Sequence, residues 1–256
     1  MSVLELRDVV VRFGSGAHAT TAVDHVDLVV DDRSVVGLVG ESGSGKSTLA
    51  RAVVGLAPLR SGEVLLDGQV IRSAGKRQDR AVRDRGALIQ MVFQDPYSSL
   101  DPRMTVGDSI AEGIAAGRRL RDARRTVGGL LDLVRLNPDH EHLLPRQLSG
   151  GQRQRVALAR ALAADPEVLI ADEITSALDV SVQGAVLNLL RDIKDETGVS
   201  VLFISHNLAV VRYLADHIAV MAGGSVVEFG DAVQVTEQPR NPYTRTLIAA
   251  VPTLLR

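Results

Sequence analysis

Gly40-Glu41-Ser42-Gly43-Ser44-Gly45-Lys46-Ser47-Thr48 decides how the rest of this chain is read. It fits G-x-x-x-x-G-K-[ST], a pattern in which backbone N–H groups wrap a polyphosphate at close range. Glycine at 40, 43 and 45 takes Cβ atoms out of the path and admits positive φ. Upstream, Val35-Val36-Gly37-Leu38-Val39 has the length and β-branched content of a buried strand. Downstream, Leu49, Ala52 and Val53 recur at i, i+3 and i+4, and Gly55 and Pro58 stop a short helix. The positive end of that helix dipole faces the loop. In such a setting Lys46 reaches β and γ phosphates as a point charge, and Ser47 offers a hydroxyl to Mg²⁺. The sequence holds only three lysines, so one standing in the required place is not a matter of abundance.

Composition bounds the rest. The 256 residues, 45% hydrophobic and 23% charged with a net charge of -2, suit an ordinary core of one large domain with an inserted subdomain. A near-neutral balance disfavours a protein whose main work is gripping a nucleic-acid backbone, so no nucleic-acid partner is expected. Aromatic residues at 3%, without Trp, leave few platforms for stacking bases. With no cysteine there is neither disulfide nor thiolate metal site. No apolar run is long enough to cross a bilayer, and Glu5 and Asp8 break up what would otherwise resemble a signal peptide.

Along the chain, residues 3 to 13 and 26 to 30 alternate as antiparallel strands with one buried face. Phe13, at a strand end beside Gly14-Ser15-Gly16, admits two readings: core filling or an adenine-stacking ring. Gly62 to Ile71 reads as a hairpin around Asp67-Gly68, and residues 72 to 86 as a solvated loop. Ala87 to Phe93 reads as a buried strand delivering Gln94 at its C-terminal end, where open α/β sheets bind ligands. Residues 95 to 147 turn helical. They include a basic cluster of Arg118, Arg119, Arg121, Arg124 and Arg125, read as a solvated face or a contact for a partner or anionic lipid.

Leu148-Ser149-Gly150-Gly151-Gln152 then enters a helix and admits two readings: an ordinary Ser N-cap, or anion-binding chemistry at the helix N-terminus, a second such place in one chain. Val168 to Ala171 reads as a strand ending in Asp172-Glu173, one carboxylate suited to a Mg²⁺ shell and the other to polarising a water for attack on a γ phosphate. Ser176 to Asp179 opens the strongest helix, and Val201 to Ile204 is a strand presenting Ser205-His206. Ile218 to Met221 and Val226 to Phe229 flank a Gly223-Gly224 hairpin, followed by a short lobe of helix and turn.

Taken in this order, the phosphate loop, Gln94, Leu148 to Gln152, Asp172-Glu173, Ser176 to Asp179 and His206 resemble the ATP-binding subunit of an ABC transporter over essentially the whole chain. Phe93 to Arg103 and Asn241-Pro242-Tyr243-Thr244 are similar to the peptide and nickel importer branch. The resemblance implies an α/β fold: a P-loop NTPase core with a mainly parallel sheet, an N-terminal antiparallel β subdomain and an inserted α-helical subdomain. The core would take residues 1–94 and 148–230, the inserted helical subdomain 95–147, and a C-terminal tail 231–256.

The family pattern further implies that Phe13 stacks on adenine and that Gly40, Glu41, Ser42, Gly43, Ser44, Gly45, Lys46, Ser47 and Thr48 bind the phosphates of ATP. Ser149, Gly150, Gly151 and Gln152 would close on the nucleotide of a partner subunit. Glu173 would be the catalytic base, His206 the γ-phosphate contact, and Gln94 a sensor of Mg²⁺ coupled to the membrane subunit, with Ser47, Gln94 and Asp172 around the metal. The implied partners are a second ATP-binding subunit, two transmembrane permease subunits and, indirectly, a solute-binding protein. The place implied is peripheral, at the cytoplasmic face of the cell membrane. Ile174 stands where many relatives have Pro, and with no cysteine in the sequence the iron–sulfur tail resembling that of some peptide importer subunits is not expected.

The expected function is therefore ATP hydrolysis at a dimer interface, coupled to import of a small solute, a peptide before others. The alternative is an ABC-type ATPase of chromosome repair or translation. The first would need a long coiled coil between Ser47 and Ser149, where no sustained heptads occur, and the second usually has two nucleotide domains.

Overall fold

Alternating apolar residues in the first third of the chain build an antiparallel sheet, and the computed structural model gives its order as β2-β1-β4-β5. The structure describes residues 2–16, 19–75, 80–95, 99–116, 126–176 and 178–250. Strand β1 (Ser2–Phe13) sits between β2 (Thr20–Asp31) and β4 (Ser61–Leu66), with β5 (Gln69–Ser73) outermost. Leu6 lies opposite Leu28 on one side and Val64 on the other, so one register buries three aliphatic side chains together. The alternation is not strict. The register slips between Leu6 and Val9, and Asp8 and His25 both adopt positive φ, leaving Val9, Val10 and Val11 all buried. Phe13, beyond them, is 45% exposed, which removes core filling as its role.

The chain divides into two compact units. One comprises Met1–Gly86 with Ser200–Arg256 and the other Ala87–Val199. Besides the antiparallel sheet, the first unit holds β3 (Val35–Val39), β8 (Ser200–Ser205), β9 (His217–Ala222) and β10 (Ser225–Asp231). Strand β3 runs parallel to both β8 and β9, while β9 and β10 form the expected hairpin. Every residue of β3 and β8 is buried, as strands covered on both faces must be. The helices of this unit are α1 (Lys46–Val53), α2 (Arg80–Gly86), α7 (Leu208–Leu214), α8 (Ala232–Glu237) and α9 (Pro242–Ala249).

Helix α2 and the length of β5 correct the expectation that 72 to 86 is a solvated loop. Arg and Ala, which make up most of its first turn, are good helix formers, but so many charges hide any apolar stripe. Residues 76–79 lie outside the described set.

The second unit contains the parallel pair β6 (Ile89–Val92) and β7 (Val168–Asp172), with Met91 beside Ile170. Strand β6 is shorter than the expected Ala87 to Phe93. Helices α3 (Val106–Ala116) and α4 (Val127–Leu133) and two 3₁₀ turns (Pro138–His142, Pro145–Gln147) fill the helical stretch. They lead to α5 (Gly150–Ala163), and β7 leads to α6 (Val180–Thr197). Asp179 caps α6 through the Val182 N–H, so the helix starts at 180 and Ser176 belongs to the turn before it. The basic cluster from Arg118 to Arg125 lies outside the described residues.

Candidate functional site

The loop after β3 is shaped by two close approaches of backbone to backbone. Gly40 has φ 155°, and a Cβ there would stand 2.1 Å from the Met221 carbonyl oxygen at the end of β9. Gly45 has φ 104°, and its Cβ would stand 2.3 Å from the Ala22 carbonyl oxygen in β2. No L side chain fits either position without displacing a strand. Between them the Ser44 N–H donates to the Glu41 carbonyl at 3.2 Å, and the Gly224 N–H of the β9–β10 turn donates to the Ser44 carbonyl at 3.1 Å.

Lys46 sits inside this turn at only 4% exposure. Its Nζ donates to the Gly40 and Glu41 carbonyls, each at 2.8 Å, and to Ser44 Oγ at 3.3 Å. These two carbonyls and the hydroxyl are neutral acceptors, and an anionic phosphate oxygen makes a stronger bond to an ammonium than any of them.

How each helix begins is informative. Side chains accept N–H bonds at the starts of α4 (Thr126), α5 (Ser149), α6 (Asp179), α7 (Asn207), α8 (Asp231) and α9 (Asn241). Helix α1 starts from Gly45 with no side-chain cap. Its first amides, from Lys46 through Thr48, therefore point with the positive end of the dipole into the turn of the loop. At the other end Arg72 closes α1: its Nε and Nη2 each donate at 2.6 Å, to the carbonyls of Val53 and Val54. Burial pushes this guanidinium below its ordinary pKa. No local pattern signals this capping, because Val53 and Val54 lie 19 and 18 positions from Arg72 and β5 brings them together.

Strands β3 and β8 are in register with Val39 beside Ser205, so Gly40 and His206 leave adjacent strand ends. His206 is exposed, and Ser205 Oγ accepts the Asn207 N–H at 3.0 Å where α7 begins. The loop, His206 and the exposed ring of Phe13 belong to the first unit.

The remaining candidate residues belong to the second unit. Val92 lies beside Ala171, so Gln94 and Asp172-Glu173 again follow neighbouring strand ends. Asp172 is 3% exposed, and Glu173 turns the chain at a positive φ of 48°. Gln94 Nε2 donates to Ser176 Oγ at 3.3 Å, and that hydroxyl donates to the Glu173 carbonyl at 2.9 Å. Ile174, the departure from the common pattern, is buried. Ser149 and Gln152 close the start of α5 as a capping box: the Ser149 N–H donates to Gln152 Oε1 at 2.9 Å, and the Gln152 N–H donates to Ser149 Oγ at 3.3 Å. Gly150 and Gly151 form its first turn.

A buried parallel strand, a glycine loop wrapped around a lysine and an uncapped helix behind it define a P-loop nucleotide hydrolase. Residues 23–176 match the model of the family described as ABC transporter. The oligopeptide transport ATP-binding protein OppF of Bacillus subtilis (strain 168) is 42% identical over 253 residues, covering 98% of this chain and 82% of that protein. The glutathione import ATP-binding protein GsiA of Escherichia coli (strain K12) is 46% identical over 259 residues, covering 98% of this chain but only 41% of that protein. Among solved structures, the dimeric ATP-binding cassette MJ0796 in a post-hydrolysis state with ADP and Pi superposes with a TM-score of 0.75 at 28% identity, over 90% of this chain and 98% of that one. The chain belongs to the ABC transporter family, as one of its ATP-binding, ATP-hydrolysing cassettes.

Proposed function

We propose that this cassette hydrolyses ATP to drive uptake of a peptide through separate permease subunits. The observation that carries the reading is the start of α1, where uncapped amides and the Lys46 ammonium converge on one turn. The named solutes of the similar proteins, oligopeptides and glutathione, are all peptidic, which is the support for the solute class.

In this reading the phosphates of ATP enter the loop 40–48 and Lys46 exchanges the Gly40 and Glu41 carbonyls for β and γ oxygens, with Phe13 stacking on adenine. Glu173 accepts a proton from water as the water attacks the γ phosphorus; the bond to the β–γ bridging oxygen breaks, leaving ADP and phosphate. His206 contacts the γ phosphate, and Gln94 links its state to a permease. Two cassettes pair head to tail, so that Ser149 to Gln152 of one close on the nucleotide held by the other; that the similar MJ0796 cassette is dimeric supports this. The permeases in turn present the solute received from a binding protein and hold the cassette peripherally at the cytoplasmic membrane face. Among the described residues no helix is long and apolar enough to cross a bilayer by itself.

The residues present fit Mg²⁺. Ser47, Asp172 and Gln94 offer only oxygen donors, and among the described residues no cluster of three or more His, Cys, Asp or Glu forms a dedicated cage. Mg²⁺ characteristically takes one or two protein oxygens plus substrate phosphates, and when bound it offsets the phosphate charge.

Glu173→Gln tests the catalytic assignment. Phosphate release should slow by about 10²- to 10⁴-fold, the scale for losing a general base, while ATP still binds. Wild-type turnover in that variant would remove Glu173 from the role. For the solute, reconstitution with candidate permeases in vesicles should give ATP turnover stimulated by peptides. Stimulation only by non-peptidic solutes would overturn the class.

A further inference from the structure

Tyr243 lies in α9, more than 200 positions from the loop, yet its hydroxyl oxygen accepts the Glu41 N–H at 3.1 Å. That N–H and the Gly40 carbonyl belong to one planar peptide unit. The carbonyl is taken by Lys46 Nζ at 2.8 Å, so the plane is gripped from both edges, by the lysine inside the loop and the tyrosine outside it. The grip matters because Gly40 has no Cβ and an unusual φ of 155°, leaving its own conformation weakly determined.

Tyr243 is itself fixed. Asn241 Oδ1 accepts the Tyr243 N–H at 2.8 Å, capping α9, and Pro242 presets the first turn. The Glu228 carboxylate on β10 accepts the N–H groups of Arg240 at 2.8 Å and Asn241 at 3.0 Å, and Asn241 Nδ2 donates to the Val227 carbonyl at 3.2 Å. Strand β10 pairs with β9, whose Met221 carbonyl packs on Gly40. The support thus runs in a closed ring from the loop through α9, β10 and β9 back to the loop.

We propose that Tyr243 is a positioning residue for the phosphate loop: it holds the Gly40–Glu41 peptide in place when Lys46 leaves the Gly40 carbonyl for the phosphates. This rests on the nucleotide reading of the loop. Without Tyr243, the departure of Lys46 frees both edges of the plane, and the entropy of re-ordering it falls on ATP binding.

The test compares the purified wild-type chain with Tyr243→Phe, which loses one oxygen and keeps the ring. Affinity for a fluorescent ATP analogue with Mg²⁺ should fall by about threefold to tenfold, the scale of one neutral hydrogen bond. Amide exchange at Glu41 should quicken in the same variant while exchange in β3 stays unchanged, a pattern that general loosening would not give. Asn241→Ala, which unpins the tyrosine, should move both readouts in the same direction. Equal affinity and equal Glu41 exchange in wild type and Tyr243→Phe overturn the role of Tyr243 alone. If the wild type binds no nucleotide, the reading of the loop falls and this inference falls with it.

Discussion

Two glycine-rich helix starts in this chain have the same chemistry on paper and opposite states in the fold. At 40–48 the start of α1 has no side-chain cap, and its lysine rests on carbonyls that phosphate can displace. At 149–152 the start of α5 is closed by its own Ser149 and Gln152. The difference teaches that a preorganised anion site is made by withholding a cap. A helix that caps itself satisfies its first amides and must give up a bond before it can bind anything else. The first start therefore offers its amides as they stand, whereas the second has to open its own cap before it can bind an anion.

The comparison can be broken most forcefully at Lys46. Lys46→Ala should weaken ATP binding by roughly 10- to 100-fold, the scale of lost hydrogen bonds to a charged group, as read by titration calorimetry. Retained affinity would mean that the open helix start binds without its lysine. Gly45→Ala sharpens the geometric side: a Cβ at 2.3 Å from the Ala22 carbonyl and φ 104° should cost on the order of 1–3 kcal/mol of stability in denaturant unfolding. Ser149→Ala should behave differently from both, lowering stability by about 1 kcal/mol through loss of a cap while nucleotide affinity of the isolated chain stays with the loop. If it instead lowered that affinity as Lys46→Ala does, the contrast between the two starts would fail.

The smallest effect is one of pH. Burial alone would raise the Glu228 pKa, but hydrogen-bond donors, the Arg240 N–H first among them, and the Arg240 charge together outweigh it and hold the carboxyl below its ordinary 4.5. A lowered folded pKa contributes stability in full above 4.5, and that contribution fades as pH falls below 4.5 through the folded value. Amide exchange corrected for intrinsic rates should therefore quicken at Glu41 in that acid window and leave Gln152 unmoved, because only the loop at 40–48 leans on the Glu228 anchor.

Much of the fold was legible because short-range rules generate it. Val35 to Val39 is a strand, and Gly45 and Lys46 begin a helix, by periodicity and backbone freedom that nearby residues suffice to reveal. Where the rules misled, charge was the reason. Arg80 to Gly86 carries too much of it to display a helical stripe, and Arg72 looked solvated although it caps α1. Phe13 could not be assigned from alternation, since the register slip that exposes its ring depends on how β1 pairs with β2 and β4.

By itself the sequence determined the glycine loop, the strand feeding it, the acidic pair at 172–173 and the signature at 149–152, since each is written in consecutive residues with fixed spacing. Only the tertiary structure decided that Arg72 and Tyr243 brace the two ends of the phosphate-loop helix region. The physical reason is that hydrogen bonds between residues tens or hundreds of positions apart depend on strand register and helix placement, which no local pattern encodes.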